Sequence, residues 1–274
     1  MVFRVEVICL ENVWVQHDGV PILEDVNLVV REGDFLGVIG PNGGGKTTLL
    51  RTILGLVRPT RGRVTVLGSS PLRGRRFVGY VPQYSSFDRD FPLSVWDAVL
   101  MGRLGHTGCL RKYTDEDKRV AADALRAVDV FALRDRQIGC LSWGQRQRVL
   151  IARALATEPR VLLLDEPAAS LDSRVEAGLY DLLRSLNTKV TIVMVSHDIG
   201  AISAYVKSIA CLNRKLICHD SREITRDMLN IAYECPVDLI AHGLAHRVLD
   251  MHDEVPATTR GSVPTDTTPT VARP

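Results

Sequence analysis

No stretch of this chain approaches the ~20 consecutive apolar residues that a helix needs to cross a bilayer, which speaks against a helical membrane-embedded body. The opening run Met1-Val2-Phe3-Arg4-Val5-Glu6 is too short and too interrupted to read as a secretory signal. The six cysteines (Cys9, Cys109, Cys140, Cys211, Cys218, Cys235) include no CxxC pair, so neither a disulfide framework nor a thiolate metal cluster is indicated. Reduced thiols are expected, in a protein made and kept in the cytosol unless a partner holds it at a membrane. Charge of one sign is missing too. Lys and Arg number 34 against 32 Asp and Glu, a formal net charge of +2, so no broad polyanion-binding surface and no nucleic-acid partner is expected. Arg73, Arg75 and Arg76 form a small basic cluster that reads as a solvated turn. A length of 274 residues suits one large domain, or a core with an inserted lobe.

What is present is concentrated in Gly40-Pro41-Asn42-Gly43-Gly44-Gly45-Lys46-Thr47-Thr48. This stretch satisfies G-x-x-x-x-G-K-[ST], the phosphate-binding loop, at Gly40, Gly45, Lys46 and Thr47. Upstream, Phe35–Ile39 has the length of a buried strand; downstream, residues 47–56 have helical spacing and a glycine near the end. Strand, glycine turn and helix start are the context in which backbone N–H groups converge on an anion and the helix N-terminus adds positive potential. Lys46 is placed to reach the β- and γ-phosphates, and the Thr47 hydroxyl to ligate Mg²⁺. The motif predicts nucleoside triphosphate binding.

Residues 3–33 alternate in hydropathy around the turn His17-Asp18-Gly19-Val20-Pro21, an antiparallel pattern. Arg63–Gly68 and Phe77–Val81 read as continuing those strands. From Leu93 to about Arg136 the period becomes helical, after an acidic start at Asp115-Glu116-Asp117 in its second part, and another helix is expected over Gln145–Ala156. Val161–Leu164 and Val190–Val195 are continuous apolar runs, as in parallel strands covered on both faces, with a helix over Val175–Leu186 between them. From about Asp253 the chain is rich in Thr and Pro with little to bury, and disorder is expected over 253–274.

Asp165 and Glu166 close the first apolar run at the end where open α/β sheets place ligands. An acidic residue there can face Mg²⁺ in the manner of a Walker B aspartate. The next carboxylate points elsewhere and can polarise an attacking water. His197 ends the following strand, where it can contact a γ-phosphate; a purely structural histidine is the alternative.

Leu141-Ser142-Trp143-Gly144-Gln145, followed by Arg146-Gln147-Arg148, resembles the signature motif of ABC-transporter ATPases. Gln83 resembles that family's Q-loop glutamine, Ser170-Leu171-Asp172 its D-loop and His197 its switch histidine, in the right order over roughly residues 3–240. The resemblance implies an α/β fold: a RecA-like P-loop NTPase core with an antiparallel β-subdomain and an inserted helical subdomain at about 84–150. It also implies ATP and Mg²⁺ as cofactors, with Thr47, Gln83 and Asp165 on the metal. Two copies would form a head-to-tail dimer, each ATP lying between one chain's phosphate loop and the other's Ser142, Trp143, Gly144 and Gln145. Two positions depart from the pattern. Trp143 replaces the first signature glycine, so its φ is negative or the loop is altered. His17 stands where an aromatic usually stacks on adenine, with Trp14 as a substitute.

A lone nucleotide-binding domain implies a separate permease dimer at the cytoplasmic face of the inner membrane and, for an importer, a substrate-binding protein. Tyr84–Val99, Met101-Gly102-Arg103 and Pro236–Gly243 resemble segments of zinc/manganese importer ATPases, with iron-chelate importers as near relatives. A soluble regulatory ATPase is the alternative from another class. His242 and His246 are spaced i, i+4, which on a helix would put two Zn²⁺-binding imidazoles on one face, with His252 further on. An ordinary C-terminal strand and turn, in an extension over 241–252, is the preferred reading, because two histidines fall short of a four-ligand site.

Overall fold

In a computed structural model of the chain, residues 5–83, 92–107, 111–169, 171–219, 238–242 and 244–248 are described. Strands β1 (Glu6–His17) and β2 (Val20–Arg31) pair antiparallel across Asp18-Gly19, whose φ values of 50° and 79° suit a two-residue hairpin turn. The next strand, β3 (Phe35–Ile39), belongs to a second sheet and leads into helix α1 (Lys46–Ile53). β4 (Arg61–Val66) then returns to pair with β1, giving an antiparallel layer in the order β2-β1-β4.

The second sheet has six strands in the order β5-β6-β7-β3-β8-β9. Its remaining members are β5 (Val78–Val81), β6 (Val161–Asp165), β7 (Thr191–Ser196), β8 (Ser208–Asn213) and β9 (Lys215–His219). All neighbours run parallel except β8 and β9. Every residue of β3, β6 and β7 is buried, which is why these strands read as unbroken apolar runs. Alternate residues serve opposite faces. Leu162, Leu164, Ile192 and Met194 join one apolar cluster, which reaches into the helical segment. Val161, Leu163, Val193 and Val195 join the other, shared with α1 and the antiparallel layer.

One expectation is corrected here. Val78–Val81 does not continue the antiparallel set but lies parallel to β6. The chain changes sheets through α2 (Pro71–Gly74) and a 3-10 turn at Arg75–Phe77, a crossover that hydropathy alternation along a strand does not encode. Arg73, Arg75 and Arg76 sit in this connection, and the Arg76 guanidinium stacks 4.5 Å from the Phe77 ring centroid.

The interval expected to be helical holds α3 (Val95–Leu100), α4 (Leu104–Thr107), α5 (Asp115–Ala127) and α6 (Trp143–Leu155). Ser94, Thr114 and Ser142 cap α3, α5 and α6, the last two as reciprocal capping boxes with Asp117 and Gln145. The Ser142 cap starts α6 at Trp143, two residues ahead of the expected Gln145. Buried Arg103 ties the lobe together by donating to Asp117 Oδ1 (3.0 Å), the Ala156 carbonyl (2.8 Å) and Glu158 Oε2 (2.7 Å). α7 (Ser173–Leu186), capped by Asp172, and α8 (Ile199–Ser203) flank β7 in the chain.

Further on, β10 (Asp238–His242) and β11 (Leu244–Val248) pair antiparallel, Ile240 opposite His246 and His242 opposite Leu244. The helix that would set His242 and His246 one turn apart is therefore absent, because cross-strand pairing takes up this backbone. The expected boundary at 240/241 falls within the ribbon. His252, the tail 253–274, Ser170 and most of Tyr84–Val99 (residues 84–91) lie outside the described residues. Among the described residues no helix is long and apolar enough to cross a membrane, and Cys9, Cys140, Cys211 and Cys218 form no disulfide.

Candidate active site

The phosphate loop connects β3 to α1, and two glycines explain its sequence. A Cβ at Gly40 would meet the Leu212 carbonyl oxygen at 2.0 Å, so the loop passes too close to β8 for any side chain there. Gly45, at φ 96° in the left-handed region, caps α1, and a Cβ on it would lie 2.8 Å from the Ile22 carbonyl oxygen. The following Lys46 is only 6% exposed. Its Nζ donates to the carbonyls of Gly40 (2.9 Å) and Pro41 (3.0 Å) and stands 3.6 Å from Glu166 Oε1. Burial lowers the ammonium's pKa, and the nearby Glu166 carboxylate opposes that shift.

The adjacent carboxylates at the end of β6 face different partners. Asp165, 1% exposed, accepts from the Thr47 hydroxyl at Oδ1 (3.2 Å) and from the Tyr80 hydroxyl at Oδ2 (3.4 Å). Burial raises its pKa, and the Thr47 hydrogen bond counters part of that rise. Glu166 takes φ 48°, a left-handed conformation that costs a non-glycine residue about 1–3 kcal/mol and collects at functional sites. Its side chain meets a different set of partners. Glu166 Oε2 accepts from Gln83 Nε2 at 2.9 Å and lies 3.1 Å from His197 Nδ1.

These groups border a cavity of about 700 Å³ whose lining includes Asn42, Lys46, Thr47, Gln83, Glu166 and His197. Gly43, Gly45 and Thr48 complete the loop's share. Backbone N–H groups, a helix N-terminus and an ammonium on one wall suit a polyphosphate. The Thr47 hydroxyl and the Asp165 carboxylate, close together, form the all-oxygen donor set that a small hard cation such as Mg²⁺ requires.

Other expected residues lie elsewhere. His17 is 80% exposed at the hairpin turn, 3.6 Å from Asp18 and outside the cavity lining; Ile22 is the β2 residue that borders it. Ser142, Trp143, Gly144 and Gln145 border a separate depression with Leu171 and Asp172. Trp143 does not take positive φ: it is the first residue of α6, where negative φ is normal, so the bulky side chain brings no backbone strain. Its indole Nε1 donates to the Ala169 carbonyl at 3.1 Å, and Ala169 also borders the phosphate cavity. Sequence reasoning missed Tyr80, Ala169 and Ile22. A tyrosine three residues before Gln83 was the one available signal, and it carries no motif.

The ABC transporter family profile matches residues 23–169. The manganese transport system ATP-binding protein MntB of Listeria innocua is 42% identical over 224 residues, spanning 80% of this chain and 93% of that protein. MntB of Bacillus subtilis is 41% identical over 215 residues, spanning 78% and 86%. MntA of Synechocystis, also named a manganese transport system ATP-binding protein, is 37% identical over 232 residues, spanning 82% and 89%. Among solved structures, an inward-facing ABC transporter described as metal-chelate type superposes with a TM-score of 0.78 at 31% identity, over 89% of this chain and 96% of that one. With these relatives matched over most of their length and the glycine loop and paired carboxylates on this α/β fold, the chain belongs to the ABC transporter family, as an ATP-binding, ATP-hydrolysing transporter subunit.

Proposed function

We propose that the chain powers uptake of a divalent metal ion, manganese foremost and zinc as the near alternative, from the cytoplasmic face of the inner membrane. The ABC ATP-binding domain covers residues 3–240, with the helical subdomain at about 84–150 and a short extension over 241–252. Lys46 holds the β- and γ-phosphates, and the loop Gly40–Thr48 wraps them. Thr47 and Asp165, with Gln83 near the γ-phosphate, would hold Mg²⁺, which neutralises phosphate charge when bound. Glu166 orients and deprotonates the attacking water, and His197 contacts the γ-phosphate. Two copies assemble head to tail, Ser142–Gln145 of each closing over the other's ATP, with Leu171 and Asp172 at the seam. A substrate-binding protein delivers the ion to the permease.

The observation that carries the hydrolytic reading is the division of labour at 165 and 166. One carboxylate is fastened to Thr47, while the other, 8% exposed, stands among Lys46, Gln83 and His197. The names of the manganese-transport relatives support the choice of ion. A second surface supports the permease partner. Leu56 and Leu72 are 61% and 63% exposed beside a groove of about 860 Å³, lined also by Phe77 and Tyr80 and rimmed by Arg73, Arg75 and Arg76. An apolar groove with a basic rim suits an amphipathic segment of a membrane protein.

Glu166→Gln tests the chemistry. The variant should bind ATP and accumulate as an ATP-bound dimer, while hydrolysis falls about 10²–10⁴-fold. Turnover near wild type would move the base elsewhere, His197 first. Lys46→Ala should lose nucleotide binding itself. Uptake assays with the co-purified permease decide the cargo. Transport of an iron chelate alone would favour a chelate importer, as the metal-chelate structural relative suggests. Failure to co-purify with any polytopic membrane protein would favour a regulatory ATPase.

A further inference from the structure

We propose that Tyr80 is a positioning residue for Asp165, its phenol fixing the carboxylate that faces Mg²⁺ in the proposed ATP site. The proposal rests on that assignment of Asp165. A carboxylate that is 1% exposed must have its oxygens satisfied by protein donors. Among the described residues Asp165 receives two side-chain hydroxyls from two different elements. Thr47 on α1 takes Oδ1, and Tyr80 on β5 takes Oδ2. Thr47 is itself a candidate metal ligand, and its oxygen lone pairs can face a cation while its proton stays on Oδ1. The Tyr80 contact lies on the opposite oxygen, so the two hydroxyls together fix the carboxylate plane from two separate elements.

Tyr80 is fitted to donate in this direction. A phenol keeps its proton through the neutral range, and the Asp165 oxygen it faces is an acceptor. Arg51, on the last turn of α1, interacts with the same phenol and can only donate, which leaves the phenol's own proton for Asp165. β5 and the residues after it therefore serve both carboxylates, Tyr80 contacting Asp165 and Gln83 contacting Glu166. The Tyr80 ring also borders the apolar groove beside Leu54, Leu72 and Phe77, so its position depends on what fills that groove.

The test measures binding rather than turnover. Affinity for a fluorescent ATP analogue is measured with Mg²⁺ and with EDTA, in wild type, Tyr80→Phe, Asp165→Asn and the double variant. Phenylalanine keeps the ring, and melting temperatures confirm that each variant folds. For Tyr80→Phe, affinity in EDTA should match wild type, while the gain on adding Mg²⁺ shrinks about three- to tenfold, the weight of one ordinary hydrogen bond. In the Asp165→Asn background the same change should have no further effect, because Tyr80 acts through that carboxylate. An unchanged Mg²⁺ gain in Tyr80→Phe, or an equal loss with and without Asp165, would overturn the proposal. If wild type bound no analogue even in EDTA, the ATP-site reading itself would fall, a result distinct from both.

Discussion

Asp165 places a charge where the fold would prefer none. Its carboxyl is almost fully buried, and burial raises its pKa in the nucleotide-free protein. A carboxyl whose folded pKa lies above its unfolded value favours folding when protonated. Stability is therefore lost as pH rises from the unfolded value through the folded one, and the whole cost is present at pH 8. Asp165→Asn keeps the shape and removes the charge. Scanning calorimetry without nucleotide should show it melting about 2–4 °C above wild type at pH 8, the response of a domain this size to about 1 kcal/mol. The gap should close near pH 4. An equal difference at both pH values would mean that the ionised carboxylate is not the cause. At this scale the sequence singled out the glycine loop and the two carboxylates, and the structure brings them together, Thr47 on Asp165 and Lys46 beside Glu166. The partners that hold them were not legible. Tyr80 reaches Asp165, and Trp143 reaches Ala169, across tertiary contacts with no local pattern in the chain.

At the scale of elements, β3, β6 and β7 appeared in the sequence as apolar runs because both their faces are covered. Helix α5 showed its acidic start at Asp115-Glu116-Asp117, whereas the Ser142 cap that opens α6 at Trp143 was passed over and the helix expected from Gln145. β5 was assigned to the wrong sheet, since a four-residue strand says nothing about its neighbour. The i, i+4 histidines failed for a related reason: spacing has meaning only once the backbone type is known. The contact between α6 and the loop after β6 is a second product of the tertiary fold. The indole of Trp143 pins the first turn of α6 to Ala169, where turn hydrogen bonds also join Ala169 to Glu166 and Leu171 to Ala168. Trp143→Phe keeps an aromatic ring and removes the donor. Hydrogen exchange at the amides of Ala169 and Leu171 should quicken about three- to tenfold, as expected for the loss of one hydrogen bond. Unchanged exchange would leave Trp143 as packing alone.

Across the whole molecule, the central sheet separates two apolar clusters and carries the phosphate cavity at the carboxyl ends of its parallel strands. The exposed groove beside Leu72 opens on another part of the surface, with Tyr80 bordering it. If a permease segment docks there, Leu72→Asp should abolish co-purification with the permease while leaving ATP affinity within about twofold, since a buried interface charge is costly whereas the cavity is untouched. Retained co-purification would move the interface elsewhere. With Glu166 in the base role proposed above, hydrolysis inherits a logic from the surroundings of that residue. Its Oε2 is held by Gln83, which arrives after β5, and by His197, which follows β7, while Lys46 on α1 approaches Oε1. In the base role proposed for Glu166, these contacts would have to rearrange around whichever oxygen receives a proton from water. Three separate segments thus hold a vote over a single oxygen pair, so under the proposed chemistry a shift in any one of them would reach the base.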